Sequence, residues 1–152
     1  MSILITRPSP AGEQLTQRLI DAGKHAFHAP LIEIAAGKEL SILENKLNKL
    51  STGDYLFLLS KNAVWYANWQ LNQLQQSWPD TLFYYGIGQS TAEEFQQLTG
   101  HSIRYPEFGE TSEDLLALSS LQQIENKRVL LLRGNGGREL LATTLQIGRA
   151  HV

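Results

Sequence analysis

The chain contains no cysteine, which excludes disulfides, thiolate metal sites and a cysteine nucleophile. Long apolar runs are missing too: nothing approaches the ~18 consecutive apolar residues of a membrane span. The opening "MSILITRPSP" has neither a basic segment nor a long apolar core. It does not read as a secretory signal, and a cytoplasmic location is expected. Charge of one sign is scarce. A formal net charge of −2 offers no general attraction to nucleic acid or acidic membranes. Any anion site must then be a local concentration of donors. The histidines His25, His28, His101 and His151 match no metal-ligand spacing and read as surface or strand residues. No metal site is expected.

What is present is a globular composition, 42% hydrophobic and 18% charged over 152 residues, enough for one domain with a real core. One theme recurs along the chain. "ILIT" (Ile3–Thr6), "YLFLL" (Tyr55–Leu59), "FYYGIG" (Phe83–Gly88) and "RVLLL" (Arg128–Leu132) are short strand-like runs. Each leads through a polar or glycine turn into an amphipathic helical pattern. Strands alternating with helices predict an α/β fold, a parallel sheet flanked by helices. Ser9–Pro10 reads as an N-cap with proline at the first helical position, and Gly23 as the matching stop. Ser90 and Glu93 read as a capping box, with Gly100 closing that helix. Leu40, Leu43, Leu47 and Leu50 predict a helix before the Tyr55 strand, and Thr111 with Asp114 a capped helix running through Leu121. "FHAPLIEIAAG" (Phe27–Gly37) is expected to be extended, with Ala35–Lys38 as the crossover between domains. Trp65, Trp69 and Trp78 read as helix packing and a loop anchor.

In open parallel sheets ligands bind beyond the carboxyl ends of the strands. The residues expected there are Thr6, Arg7 and Ser9; Ser60, Lys61 and Asn62; Gly88, Gln89, Ser90 and Thr91; and the turn Arg133–Arg138 with Gly134, Gly136 and Gly137. Helix N-termini on this rim suit carboxylates or phosphates, and the inventory favours a polyanion held by many weak donors. Each residue also has a plainer role. Ser60 and Ser90 cap helices whatever the function, Asn135–Gly136 can simply supply a tight turn, and Arg133 and Arg138 can be solvated charges. Two alternative functions follow from the same rim, a nucleotide site and a non-catalytic module for a small anion. "GNGGRE" lacks the spacing and the lysine–hydroxyl pair of a triphosphate loop, and Glu139 stands where a dinucleotide turn has glycine or alanine.

Taken in order, "ILITRP", "PLIEI", "LLSKNAV", "GIGQSTA", "SEDLL" and "LLLRGNGGRELL" resemble the motifs of uroporphyrinogen-III synthases from Met1 to about Leu145. The resemblance implies a cofactor-free, monomeric hydro-lyase of heme and porphyrin biosynthesis with a flavodoxin-like fold. Its implied substrate is hydroxymethylbilane, a linear tetrapyrrole polycarboxylate. Loss of the terminal hydroxyl as water, inversion of the last pyrrole ring through a spiro intermediate and ring closure give uroporphyrinogen III. Conformational control of this kind relies on positioning and preorganised electrostatics, in keeping with a sequence that shows no triad and no metal cluster. Carried over by motif, Arg7, Ser60, Asn62, Ser90, Thr91 and the Arg133–Arg138 turn line the substrate cleft, with Lys61 and Gly88 beside them. No catalytic side chain is assigned. Leu59 stands where the family often has threonine, so no hydroxyl is available there.

The resemblance also implies two α/β domains, the first discontinuous. Residues 1–35 would be a strand–helix–strand part of that first domain and 36–146 the complete second domain. Residues 147–152, "IGRAHV", depart from the family pattern and match the translation of a common sequencing-adapter read, so a truncated or artefactual tail is expected. On that view the strand and helix of Ile3–Gly23 have no sheet to join, the cleft lacks one wall, and the chain alone is expected to be inactive.

Overall fold

The structure, a computed structural model, describes residues 1–31, 34–133 and 140–147. The chain divides into two compact units, Met1–Ala36 and Gly37 onward.

In the first unit β1 (Ser2–Ile5) and β2 (His25–His28) pair in parallel, Ser2 opposite His25 and Ile5 opposite His28, joined by α1 (Ala11–Asp21). The expectation that the first strand has no sheet to join is therefore corrected: β2 supplies one partner, extended by Ala29 N–H donating to the Ile5 carbonyl at 2.9 Å. Leu4 and Phe27 nevertheless remain exposed. The N-cap assignment is corrected too. Pro10 occupies the cap position of α1, and Ser9 Oγ donates to Glu13 Oε1 at 2.9 Å instead of accepting from the helix. Among the described residues of Phe27–Gly37 only Phe27 and His28, the end of β2, are strand; Ile32 and Glu33 lie outside the described residues.

The second unit carries a three-stranded parallel sheet in the order β4 (Phe83–Gly86), β3 (Tyr55–Leu58), β5 (Val129–Leu132). Central strand β3 is buried along its whole length, as an apolar strand covered on both faces must be. Its side chains alternate between faces. Leu56 and Leu58 join Tyr84 against α2 (Leu43–Asn48), α3 (Lys61–Gln73) and α4 (Gln89–Thr99), through Leu43, Leu47, Val64, Ala67, Leu71 and Phe95. Tyr55 and Phe57 join Tyr85 and Val129 on the other face. There they meet Leu115 of α5 (Ser112–Leu116), Leu121, and Leu141 and Leu145 of α6 (Leu140–Ile147).

Helix ends follow local chemistry. Thr111 and Asp114 form the expected capping box, Asp114 N–H donating to Thr111 Oγ1 at 3.1 Å and Thr111 N–H to Asp114 Oδ2 at 3.0 Å. The helix they start ends at Leu116, with only a 3-10 turn at Ser119–Leu121 beyond it, so the longer helix is corrected. The leucine-spaced segment splits likewise into a 3-10 turn, Lys38–Ile42, and α2. Gly23 and Gly100 stand at their helix ends with φ of 76° and 75°, where a β-carbon is disfavoured. Trp65 and Trp69 are exposed, which corrects their reading as packing residues, while Trp78 is buried and donates from Nε1 to Asn68 Oδ1 at 3.0 Å.

Two core phenols make stability sensitive to alkali. Burial, and then the charge of Asp80, push the Tyr84 phenol well above its usual range; its hydroxyl donates to the Pro79 carbonyl at 2.6 Å. Burial and then Tyr85 raise Tyr55. Because the folded values are raised, the unfolded chain ionises first, at about pH 10. Stability from these groups is full below that pH and is lost as pH rises toward the folded values. Thermal melts from pH 8 to 11 should show a falling midpoint above pH 10, and absorbance at 295 nm should show late phenolate signal coincident with unfolding.

Candidate functional site

The carboxyl ends of the three strands of the second unit are level: Leu58 stands opposite Gly86 on one side and Leu132 on the other. The ladder continues one residue further, Ile87 N–H donating to the Leu58 carbonyl and Leu59 N–H to the Leu132 carbonyl, each at 3.0 Å. Ser60, Gly88 and Arg133 therefore leave the sheet at one rim, where α3 and α4 begin.

At the start of α3, Ser60 is extended (φ −163°, ψ 159°) and its Oγ accepts from Ala63 N–H at 3.0 Å. The plain capping role is present, and the hydroxyl proton is left to donate. Lys61 and Asn62 are exposed on the first turn; Lys61 Nζ lies 3.8 Å from Glu94 Oε2 of α4. An exposed pair of this kind contributes little to stability, yet it tethers the one lysine of the rim. Leu59 packs against the face formed by Tyr55, Phe57 and Tyr85.

At the start of α4 the sequence reading needs correction. Gly88, extended at φ −164°, is the N-cap, so Ser90 falls inside the first turn and caps nothing. Glu93 instead accepts from Gln89 Nε2 at 2.7 Å. The chain stays extended only through Gly88, which moves the N-cap two residues ahead of Ser90. Ser90 is exposed, whereas Thr91 is buried. Ala92 N–H makes the first intrahelical bond, to the Gly88 carbonyl at 3.1 Å, and the amides of Gln89, Ser90 and Thr91 precede it.

Arg133 is exposed at the end of β5. Gly134, Gly136, Gly137 and Arg138 lie outside the described residues. Arg7 belongs to the first unit; its side chain is exposed, and its carbonyl accepts from His28 Nε2 at 2.8 Å. Gly12 packs directly beneath this bond: a β-carbon there would lie 2.1 Å from the Arg7 oxygen.

One rim residue was missed from the sequence. Glu110 lies over Gly88, so that a β-carbon on Gly88 would meet Glu110 Cγ at 2.4 Å. The loop "PEFGETSE" was placed near the rim, but nothing in its local pattern marks which side chain touches the turn. Among the described residues no group of three His, Asp or Glu side chains converges as a metal site, and no helix is long and apolar enough to cross a membrane. The rim offers two helix N-termini, the Ser60 and Ser90 hydroxyls, Asn62 and Lys61. Such a set is chemically suited to carboxylates. Ser60→Ala should cost about 1 kcal/mol of stability through the lost cap, read as a lower urea midpoint with unchanged slope.

A family model described as uroporphyrinogen-III synthase HemD matches residues 13–152. A uroporphyrinogen-III synthase of Proteus mirabilis is 99% identical over 146 residues, covering 96% of this chain and 73% of that protein. One from Escherichia coli K12 is 49% identical over 152 residues, all of this chain and 62% of that protein. In structure, the uroporphyrinogen III synthase of Thermus thermophilus matches with a TM-score of 0.55 at 17% identity, over all of this chain and 59% of that one, a likeness of fold. These matches lend no support to the expectation of an inactive chain. With its parallel sheets flanked by helices and its match over residues 13–152, the chain belongs to the uroporphyrinogen-III synthase family.

Proposed function

We propose that this chain acts in the cofactor-free conversion of hydroxymethylbilane to uroporphyrinogen III, and that the rim at the ends of β3, β4 and β5 binds the substrate's carboxylates. The observation that carries this reading is the level register of the three strands, which delivers the Ser60–Asn62 and Gly88–Thr91 turns and Arg133 to one edge. Donors spread along a rim suit a substrate whose carboxylates are spread around a flexible chain. Anchoring several of them lowers the entropy of the folded-back conformation from which the last ring is inverted. The amides at the helix starts are fixed before substrate arrives and stabilise negative charge without reorganising. Water leaves from the terminal hydroxymethyl carbon. The protein's contribution is to hold that carbon against the ring carbon it must join, since unguided closure takes place without inversion.

Arg7, in the first unit, and the Gly134–Arg138 turn are proposed as substrate-binding residues by family motif. The first unit is proposed as part of a discontinuous domain completed elsewhere in the family fold, and the second as its partner domain. A soluble, cytoplasmic, monomeric protein fits this role. The test is incubation of hydroxymethylbilane with the chain, followed by oxidation and separation of the isomers. Type III product above the spontaneous background supports the reading. Type I product alone, together with no saturable binding of hydroxymethylbilane, overturns it.

A further inference from the structure

Residues 105–110 cross the rim as an arch fixed at both ends. At its base Arg104 adds to the β4 edge, its N–H donating to the Tyr84 carbonyl at 3.0 Å and its carbonyl accepting from Gly86 N–H at 2.8 Å. The Arg104 side chain donates from Nη1 to the Tyr85 hydroxyl at 3.2 Å, and Pro106 is buried. At the far end the Thr111–Asp114 capping box holds the chain to α5. Between these anchors Tyr105, Glu107, Phe108, Gly109 and Glu110 are exposed, with Phe108 at 80%. The arch touches the β4–α4 turn through Glu110. Its stem lies on Gly88, where an added β-carbon would fall 2.4 Å from Cγ and 3.0 Å from both Cβ and Cδ. A β-carbon at this position would force the Glu110 side chain to shift. The stem of an acid thus covers the turn whose amides are suited to a ligand's carboxylate, and it brings a like charge with it.

We propose that residues 105–110 form a strap latched shut by Glu110 on Gly88, and that the latch must release for a substrate carboxylate to reach the β4–α4 turn. The proposal rests on the carboxylate-binding reading of the rim. Glu110 would then be a gate: its stem occupies the turn, and its charge disfavours carboxylates that cannot displace it.

The latch is tested without ligand by limited chymotrypsin digestion of the whole chain, following cleavage after Phe108. Cleavage of a locally opened segment tracks the population of the open form. Glu110→Ala should raise that rate about tenfold, since local openings of low free energy are set by few contacts. Glu110→Gln, which keeps the stem, should cleave at nearly the parent rate. Equal rates in the parent and Glu110→Ala would overturn the latch. Gating is tested by fluorescence titration with uroporphyrin III, a stable polycarboxylate tetrapyrrole. Glu110→Ala should bind about tenfold more tightly than the parent because no closed state competes. Glu110→Gln should fall between, relieved of charge only. Equal affinities in all three would overturn the gate even if the strap loosens. Binding by none of them would overturn the carboxylate reading of the rim and the gate with it, while the latch stands or falls on the digestion.

Discussion

Tyr85→Ala should lower the unfolding free energy by about 3–5 kcal/mol, the range for removing a fully buried aromatic, with Tyr85→Phe costing only about 1 kcal/mol. Tyr85 is completely buried on the face of the sheet that also holds Phe57 and Tyr55, whose ring centroids lie 5.2 and 5.8 Å away. Truncation opens a cavity between the sheet and the segment carrying Leu115 and Leu121. It also orphans two polar groups. The Tyr85 hydroxyl donates to Ser120 Oγ at 2.9 Å and accepts from Arg104 Nη1 at 3.2 Å. Phenylalanine keeps the ring packing and loses only these bonds, one of which is made by an exposed arginine that water can satisfy. Urea denaturation measures both variants. An alanine variant within 1 kcal/mol of the parent would mean that the face collapses around the gap. Because Arg104 sits at the base of the 105–110 strap, the alanine variant should also speed chymotrypsin cleavage there; the phenylalanine variant should do so less.

The order of strands and helices was legible because each unit repeats a short apolar run, a turn and an amphipathic stretch. Those runs fall within one or two residues of β1, β3, β4 and β5. The rim was legible for the same reason, since in a parallel sheet every strand-to-helix turn lies at one end. What failed was the choice of cap. Ser9 and Ser90 look like N-caps, but the cap is the residue from which the helical hydrogen bonding starts, Pro10 in α1 and Gly88 in α4. Trp65 and Trp69 were misread by residue type, although their spacing set them apart. Val64, Ala67 and Leu71 mark the buried face of α3, and positions 65 and 69 lie off it. Glu110 could not be found locally, because its contact with Gly88 joins positions twenty-two apart (110 − 88) through the fold. Asp54 escaped for a similar reason: "STGDY" reads as a turn, and one of its two partners, Arg128, stands just before β5.

Asp54→Ala should cost about 2–3 kcal/mol, the penalty for donors left without an acceptor near the core. Its carboxylate is buried and joins two distant segments: Oδ2 accepts from Ser51 N–H at 2.7 Å, and Oδ1 accepts from Arg128 N–H at 3.0 Å. Arg128 adds a side-chain bond to the Lys49 carbonyl, so the turn before β3 and the start of β5 are held at one point. Alanine removes both acceptors. Ser51 and Arg128 are exposed enough for water to recover part of the loss, which keeps the figure below that of a deeply buried ion. Asparagine retains one acceptor but turns an amide toward the other donor, so it should fall between alanine and the parent. This junction lies at the amino ends of the strands, opposite the rim. Asp54→Ala should therefore shift the urea midpoint while leaving the uroporphyrin affinity of the folded protein within about twofold of the parent, as expected for distant and independent sites. Loss of affinity in step with stability would mean that the two ends of the sheet are coupled, and that the register at the start of β5 is what sets the Ser60, Gly88 and Arg133 turns level.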